Sequence, residues 1–530
     1  MKAWIAALIS LAIAIVVAIL AYSMPIGLAL MAGTEGAVFG FFPILWIVIN
    51  AIWLYNMTVV TGHFDVLRRS FGKVSHDQRI QGVIIAFCFG ALLEALAGFG
   101  TPVAITSVML IALGFRPIKA ATVALVANTA PVAFGALAVP ITTLATVTGL
   151  PQQDLGTMVG RQTPILAVFV PLVLVFIIDR GRGVRQTLPA TLVCGLTFAV
   201  TQFVTSNYLS VPLTDVVAAL ASACAVVVLL RIWQPAHTYV EAPERVEVGV
   251  NLGANGHASR SDHPVGPGIG TLDELAARDA GQNDPRVEIL RAYAPYLIII
   301  AVFVVAQVPA VRDALDSPTV SFLWPGLEIQ SPSGVVSTLP LFKLNWLGTA
   351  GTLMIFAGVL TIPAIGISLV KSAKAYADTY RQLAFAIVTV MAVLGLAYVM
   401  NASGQTATLG VWLAGAGALF ALISPVIGWL GVAVTGSDTS SNSLFGALQV
   451  AAAGKTGLDP VLMAAANSSG GVLGKMISPQ NLAIAAAAVG LSGREGDLFR
   501  RVIGWSLGSL AFVCVLVYLQ SMSILSWMVP

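Results

Sequence analysis

The chain has 530 residues, of which 57% are hydrophobic and only 10% charged, with a mean hydropathy of +0.90 and a net charge of +3. A soluble domain carries roughly a quarter charged residues, so this composition cannot cover a globule with a water-facing surface, and it gives no basis for nucleic-acid binding. Only helices and closed barrels satisfy the backbone in lipid, and apolar runs of about 20 residues without alternation exclude a barrel. The fold class expected is all-α and polytopic.

The first run, residues 4–22, is predicted as a transmembrane helix and not as a signal peptide. Met24-Pro25 is no small-residue cleavage site, and further spans follow. A second run covers 36–60. Arg68, Arg69, Lys73 and Arg79 then form a basic cluster, which the positive-inside rule assigns to the cytoplasm. The clusters Arg180/Arg182/Arg185, Lys371/Lys374/Arg381 and Arg494/Arg500/Arg501 are assigned there too. Between them lie runs at 80–97, 98–113 and 117–150, then 186–206 and 212–231, which turn outside at Asn207. Runs at 292–311 and 346–370 enclose an outer segment around Trp324-Pro325. Runs at 382–400, 405–424, 425–454, 458–490 and 502–527 complete the set, with 98–113 and 436–454 also readable as re-entrant hairpins. At spanning length these give about 13–15 crossings, a cytoplasmic N-terminus and a C-terminus outside.

From Gln234 to Glu288 the chain is polar and lacks Phe, Trp, Met and Cys. It is predicted as a flexible cytoplasmic linker, residues 234–290, between a transmembrane half at 1–233 and another at 291–530. His237, His257 and His263 lie in it at irregular spacing and are read as solvated. Cys88, Cys194, Cys224 and Cys514 sit in apolar runs and are read as unpaired packing residues. No metal or cofactor is called for.

The two halves echo each other. Asn128-Thr129-Ala130-Pro131 leads through Phe134-Gly135 to Pro140. Asn467-Ser468-Ser469-Gly470 leads through Leu473-Gly474 to Pro479 at the same spacing. Ahead of each lies a polar, glycine-bearing interruption, Gly98-Phe99-Gly100-Thr101-Pro102 and Gly436-Ser437-Asp438-Thr439-Ser440-Ser441-Asn442. Counting crossings from the basic clusters makes the related segments run in opposite directions. Carriers with such inverted repeats bind substrate near the midplane, where discontinuous helices meet.

Several polar residues fall inside apolar runs. A carboxylate such as Glu94 costs about 2.5–3.5 kcal/mol at the bilayer centre and marks a functional candidate by default. Burial favours the neutral form of a carboxyl, so such a group can take up and release a proton; a structural hydrogen-bonded carboxyl is the plain alternative. Asp438 reads as a proton site, a cation ligand or a helix N-cap. Lys475 reads as a counter-charge for an anion, an ion-pair partner or a snorkelling cation. Arg161 suits bidentate carboxylate binding or interfacial anchoring. Asn128, Thr129, Asn467, Ser468 and Ser469, with Thr101, Ser437 and Gln480, set amides and hydroxyls at helix breaks whose N–H dipoles suit an anionic head group; small-residue helix packing is the alternative. No catalytic constellation stands out. There is no His-Glu-x-x-His, no nucleophile elbow and no phosphate loop.

The strings Phe87-Cys88-Phe89-Gly90 through Glu94, Ala97-Gly98-Phe99-Gly100-Thr101-Pro102-Val103-Ala104-Ile105, Ala127-Asn128-Thr129-Ala130-Pro131-Val132-Ala133-Phe134-Gly135, Gly160-Arg161-Gln162, Thr435-Gly436-Ser437-Asp438-Thr439-Ser440-Ser441-Asn442 and Gly471-Val472-Leu473-Gly474-Lys475-Met476-Ile477-Ser478-Pro479-Gln480 resemble the bacterial L-lactate permease family of monocarboxylate/proton symporters. The resemblance runs from about residue 25 nearly to the end. Glu94-Ala95-Leu96 departs mildly from it, and the 234–288 linker looks unlike the family pattern. It implies a carrier in the inner membrane that imports L-lactate, with D-lactate and glycolate, together with a proton. It also implies kinship with elevator-type carriers of the ion-transporter superfamily. On that reading the anion binds near Asn128 and Asn467, Lys475 or Arg161 balances its charge, and Glu94 or Asp438 carries the proton. The rivals are a sodium-coupled carboxylate carrier using Asp438 and Asn442, a channel, and an intramembrane enzyme; the last is disfavoured because no nucleophile-base pair lies at depth.

Overall fold

The computed structural model describes residues 3–72, 75, 77–96, 98, 100–241, 284–306, 308–327, 341–491 and 494–530. Among them, eight helices are long and apolar enough to cross a membrane, and five shorter apolar helices accompany them. The longest, Gln152–Leu209, is two crossings. Asp179 and Arg180 leave helical geometry, Arg180 at φ 53°, so the chain turns at the Arg180/Arg182/Arg185 cluster.

Several elements differ from expectation. The second apolar run begins earlier, at Ile26, just after Pro25, and is broken at Phe42, ahead of Pro43, into Ile26–Phe39 and Trp46–Val60. Pro25 stands at the N-cap, where a missing N–H costs nothing. The Lys371/Lys374/Arg381 cluster is no loop. It rides on the first turns of Leu369–Ser403, which Ser368 caps by accepting from the Lys371 N–H. Arg79 is not a loop charge either. It is 1% exposed and bound by Asp77 at 2.7 Å and Asp179 at 3.0 Å. The segment around Trp324 carries a short helix, Pro309–Asp316, and a two-stranded antiparallel hairpin, Val320–Leu323 with Leu341–Leu344, the only strands among the described residues. The segment expected to be a linker starts docked. Arg79 donates to the His237 carbonyl, and Glu241 pairs with Lys119 at 2.6 Å. Residues 242–283, with His257 and His263, lie outside the described residues.

Both glycine-bearing interruptions break helices as expected. Gly98 (φ 52°) and Gly100 (φ 80°) separate Gly90–Leu96 from Thr101–Ala112. Gly436 (φ 77°) separates Phe420–Thr435 from Asp438–Thr456. At about 1.5 Å per residue, the 12-residue Thr101–Ala112 is too short to cross a hydrocarbon core of about 30 Å. That length suits the re-entrant alternative better than a full span.

In the second half, close packing is built on glycine. A methyl group added to Gly428 would collide with the Asn467 carbonyl, one on Gly470 with the Pro425 carbonyl, and one on Gly474 with the Trp429 carbonyl. Helices Phe420–Thr435 and Pro460–Gly474 therefore meet backbone to backbone, which is how membrane helices associate when lipid removes the hydrophobic driving force. Pro460–Gly474 is buried from Leu462 onward. It forms the shaft on which the polar site is mounted.

Candidate functional site

Asp438 opens the helix that follows the second break. The N-cap is Ser437, whose hydroxyl accepts from the Ser440 N–H, so Asp438 is freed from capping. Its Oδ2 accepts from the Ser468 hydroxyl at 2.5 Å and from the Asn442 amide at 3.3 Å. Its Oδ1 is buried with no partner among the described residues. That oxygen sits against the Cα of Gly471, where any side chain would collide with it.

Asn467, one residue before Ser468, is fully paired. It donates to Asn442 Oδ1 at 2.9 Å and accepts from Gln449 at 3.1 Å. Asn442 in turn donates to the Pro140 carbonyl at 3.2 Å, in the first half of the chain. Ser469 reaches the first half as well. It donates to Gln162 Oε1 at 2.7 Å, and Gln162 donates to Gln520 at 2.8 Å. Every side chain in this network is at most 5% exposed.

Glu94 lies in the last turn before the first break, and Lys475 lies where Pro460–Gly474 gives way to a 3-10 turn. The two meet, Nζ to Oε1, at 2.5 Å, at 3% and 5% residue exposure. This ion pair joins the two halves across their breaks. Glu94 Oε2 has no partner among the described residues. The Glu94 side chain rests on Gly135, where an added Cβ would lie 2.9 Å from Oε1. Lys475 is also within electrostatic reach of Asp438. Its ion pair is with Glu94.

The first repeat breaks where expected. Pro117–Ala127 ends at Asn128, and the next helix begins at Gly135 with Ala136, Leu137 and Ala138 all left-handed, at φ 44°, 58° and 60°. Each such residue costs about 1–2 kcal/mol, and strain of this kind collects at functional sites. Asn128 is 4% exposed, and neither its Nδ2 nor its Oδ1 has a partner among the described residues. Thr129 donates to the Val126 carbonyl and borders a cavity of about 60 Å³ shared with Thr163, Val472 and Leu473. The second repeat behaves otherwise. Asn467 was expected at a helix break; it lies mid-helix, and the break comes at Lys475–Ile477.

The structure therefore gathers Glu94, Asp438, Asn467, Ser468, Ser469 and Lys475 into one buried constellation, with Asn128 and Thr129 at the facing break. It takes Arg161 elsewhere. That guanidinium donates to Asn207 Oδ1 at 2.9 Å and to the Met528 carbonyl at 2.8 Å, an anchoring role. Ser437 is a helix cap, and Gln480 is exposed and lies over Gly436. Thr101 opens the helix after the first break. Gln162, Gln449 and Asp215 were not foreseen. Gln162 stands beside the charged Arg161, which drew the reading; Gln449 lies in an ordinary amphipathic stretch.

The family model for L-lactate permease matches residues 1–524. The chain belongs to the L-lactate permease family. It is accordingly a membrane permease and not an enzyme. The chain is 43% identical to the L-lactate permease of Bacillus subtilis, over 100% of this chain and 94% of that one. It is 40% identical to the glycolate permease GlcA of Escherichia coli, over 98% and 92%. The solved structure of MtrF of Neisseria gonorrhoeae, at 13% identity, covers 93% of this chain and 83% of its own with a TM-score of 0.46, a likeness too distant to argue from.

Proposed function

We propose that this permease imports L-lactate, with D-lactate and glycolate as further substrates, together with one proton, across a bacterial inner membrane. The names of the relatives, one a lactate and one a glycolate permease, support the substrate class. The observation that supports the coupling is the Glu94–Lys475 pair. Lys475 can neutralise one carboxylate closely at a time. When a substrate carboxylate takes the ammonium, Glu94 is left as a buried, unpaired anion, which costs several kcal/mol. Taking up a proton removes that cost. Anion and proton then bind together or not at all, and the loaded site carries no more charge than the empty one. Asp438, held by Ser468 and Asn442, keeps the ammonium near the midplane while the pair is open. The orphaned amide of Asn128, with the hydroxyl of Thr129 beside it, suits the substrate's own hydroxyl and carboxylate. We take the two halves to be inverted relative to each other, with the N-terminus cytoplasmic, so that the breaks meet at mid-depth.

The test is lactate uptake into proteoliposomes. An electroneutral cycle gains nothing directly from membrane potential, which is worth about 2.3 kcal/mol per charge per 100 mV. Uptake should saturate and follow an inside-alkaline pH gradient. Uptake that follows voltage or a sodium gradient, with no response to the pH gradient, would overturn the reading in favour of the sodium-coupled alternative.

A further inference from the structure

Asp215 is 0% exposed, and no lysine, arginine or histidine pairs with it among the described residues. It stands in the first turn of Thr214–Ile232. Gln202 donates to its Oδ1 at 2.8 Å, and Gln202 Oε1 faces the Thr163 hydroxyl at 3.5 Å. Its Oδ2 is buried with no partner among the described residues. An acid in a first turn is ordinary at a wet surface, where it complements the helix dipole. That does not account for one sealed from water with an idle oxygen and no cation, since such a group is expensive to bury as an anion.

Two further observations give the position a direction. Thr214–Ile232 packs against Gly90–Leu96, and Asp215 lies close enough to Glu94 to feel its charge. On the other side, a cleft of about 500 Å³ reaches the chain at Ser210 and Val211, just ahead of Asp215; Gln152, Gln153, Arg312 and Lys343 line it too. Near Asp215 in the chain lie the Thr214 hydroxyl, which donates to the Ser210 carbonyl, and the Ser210 and Thr205 hydroxyls, both buried and without a partner among the described residues. The other elements packed on this helix bring few ionisable groups. Arg161, on Gln152–Val204, is held by Asn207 and Met528, and Asp154 sits half-buried in that helix's opening turn. Cys88 and Cys194 touch at 3.5 Å beside Ser222, two turns further along.

We propose that Asp215 is a proton-relay residue that carries the symported proton from the cleft to Glu94. It touches no substrate. Its carboxylate takes a proton from water in the cleft by way of the Ser210 and Thr214 hydroxyls, becoming the neutral acid. It then gives that proton to the Glu94 carboxylate as Glu94 leaves Lys475, and returns to the carboxylate. Gln202 holds the ring of bonds on one oxygen and leaves the other free to exchange. This inference rests on the proton-coupled reading above.

The experiment compares the wild-type protein with D215N and D215E in proteoliposomes, for pH-gradient-driven lactate uptake and for lactate/lactate exchange at equal pH on both sides. Asn keeps the shape and the bond to Gln202 but cannot relay a proton. In D215N, driven uptake should fall at least tenfold more than exchange does. D215E should recover most of the driven uptake, with its pH profile displaced from that of wild type. Driven uptake and exchange that fall in parallel in D215N, or driven uptake that persists with an unaltered pH profile, would overturn the assignment. A wild-type protein that ignores the pH gradient would instead overturn the coupling itself.

Discussion

Asn128 and Asn467 hold the same place in a motif repeated at identical spacing, yet their surroundings are opposite. Asn467 is locked mid-helix between Asn442 and Gln449. Asn128 ends its helix, is also buried, and leaves both amide atoms without a partner among the described residues. Buried polar groups in folded proteins are nearly always paired, and each exception needs a reason. The second copy has become framework: its amide network and its glycine contacts hold Asp438 and Lys475 in place. The first copy leaves its amide unsatisfied beside a strained left-handed turn, and under the proposed function those are the groups that a polar solute satisfies.

The sharpest way to break this division is at Lys475, which joins the second half to Glu94 in the first. Lys475→Gln should lower lactate uptake by more than a hundredfold. It should also lower thermal stability, because removing one partner of a buried ion pair costs about 3–5 kcal/mol. A Glu94→Gln/Lys475→Gln double variant should melt higher than Lys475→Gln alone, since it no longer leaves an uncompensated anion. Measured melting temperatures that simply add would show that the two do not interact. Next in size is the glycine packing behind the framework copy. Gly428→Ala, aimed at the Asn467 carbonyl, should destabilise by about 1–3 kcal/mol as an overpacked contact. Gly504→Ala, with nothing within 4 Å, should be neutral or stabilising by up to about 1 kcal/mol; thermal melts in detergent read both. The asparagines themselves give the most direct contrast. Asn467→Ala takes the donor from the buried Asn442 Oδ1 and leaves Gln449 only the Ser424 carbonyl, and should cost about 1–3 kcal/mol. Asn128→Ala strands nothing, so its melting temperature should stay near wild type while the KM for lactate rises at least several-fold. Equal stability losses in the two variants would erase the distinction drawn here.

Much of this was legible in the amino-acid order. The class follows from a composition too poor in charge for a watery surface. The breaks follow from Gly98, Gly100 and Gly436, whose positive φ values no other residue adopts cheaply. Glu94, Asp438 and Lys475 were singled out because charge is expensive at depth. What stayed hidden was pairing. Glu94 and Lys475 meet across 381 positions, and no local pattern signals a contact of that range. Arg79 looked like a loop charge because its partner Asp179 is a hundred positions away. Arg161 drew the eye by its charge, although its neighbour Gln162 is the one that reaches Ser469. Asn467 was read as a break because it matched Asn128; its helix continues because Asn442, Gln449 and the packed glycines support it, which is tertiary context overriding a local motif. Nothing local marks Asp215, an acid in a first helical turn; only its burial sets it apart.

Under the proposed cycle Glu94 gives up Lys475 to the substrate by taking the transported proton. Glu94→Gln is reconstituted beside wild type, and pH-gradient-driven lactate uptake and lactate/lactate exchange are measured on the same proteoliposomes. Driven uptake should be abolished while exchange persists at a measurable rate, because the amide keeps the site neutral without a proton. Driven uptake that survives in Glu94→Gln with the pH dependence of wild type would contradict it.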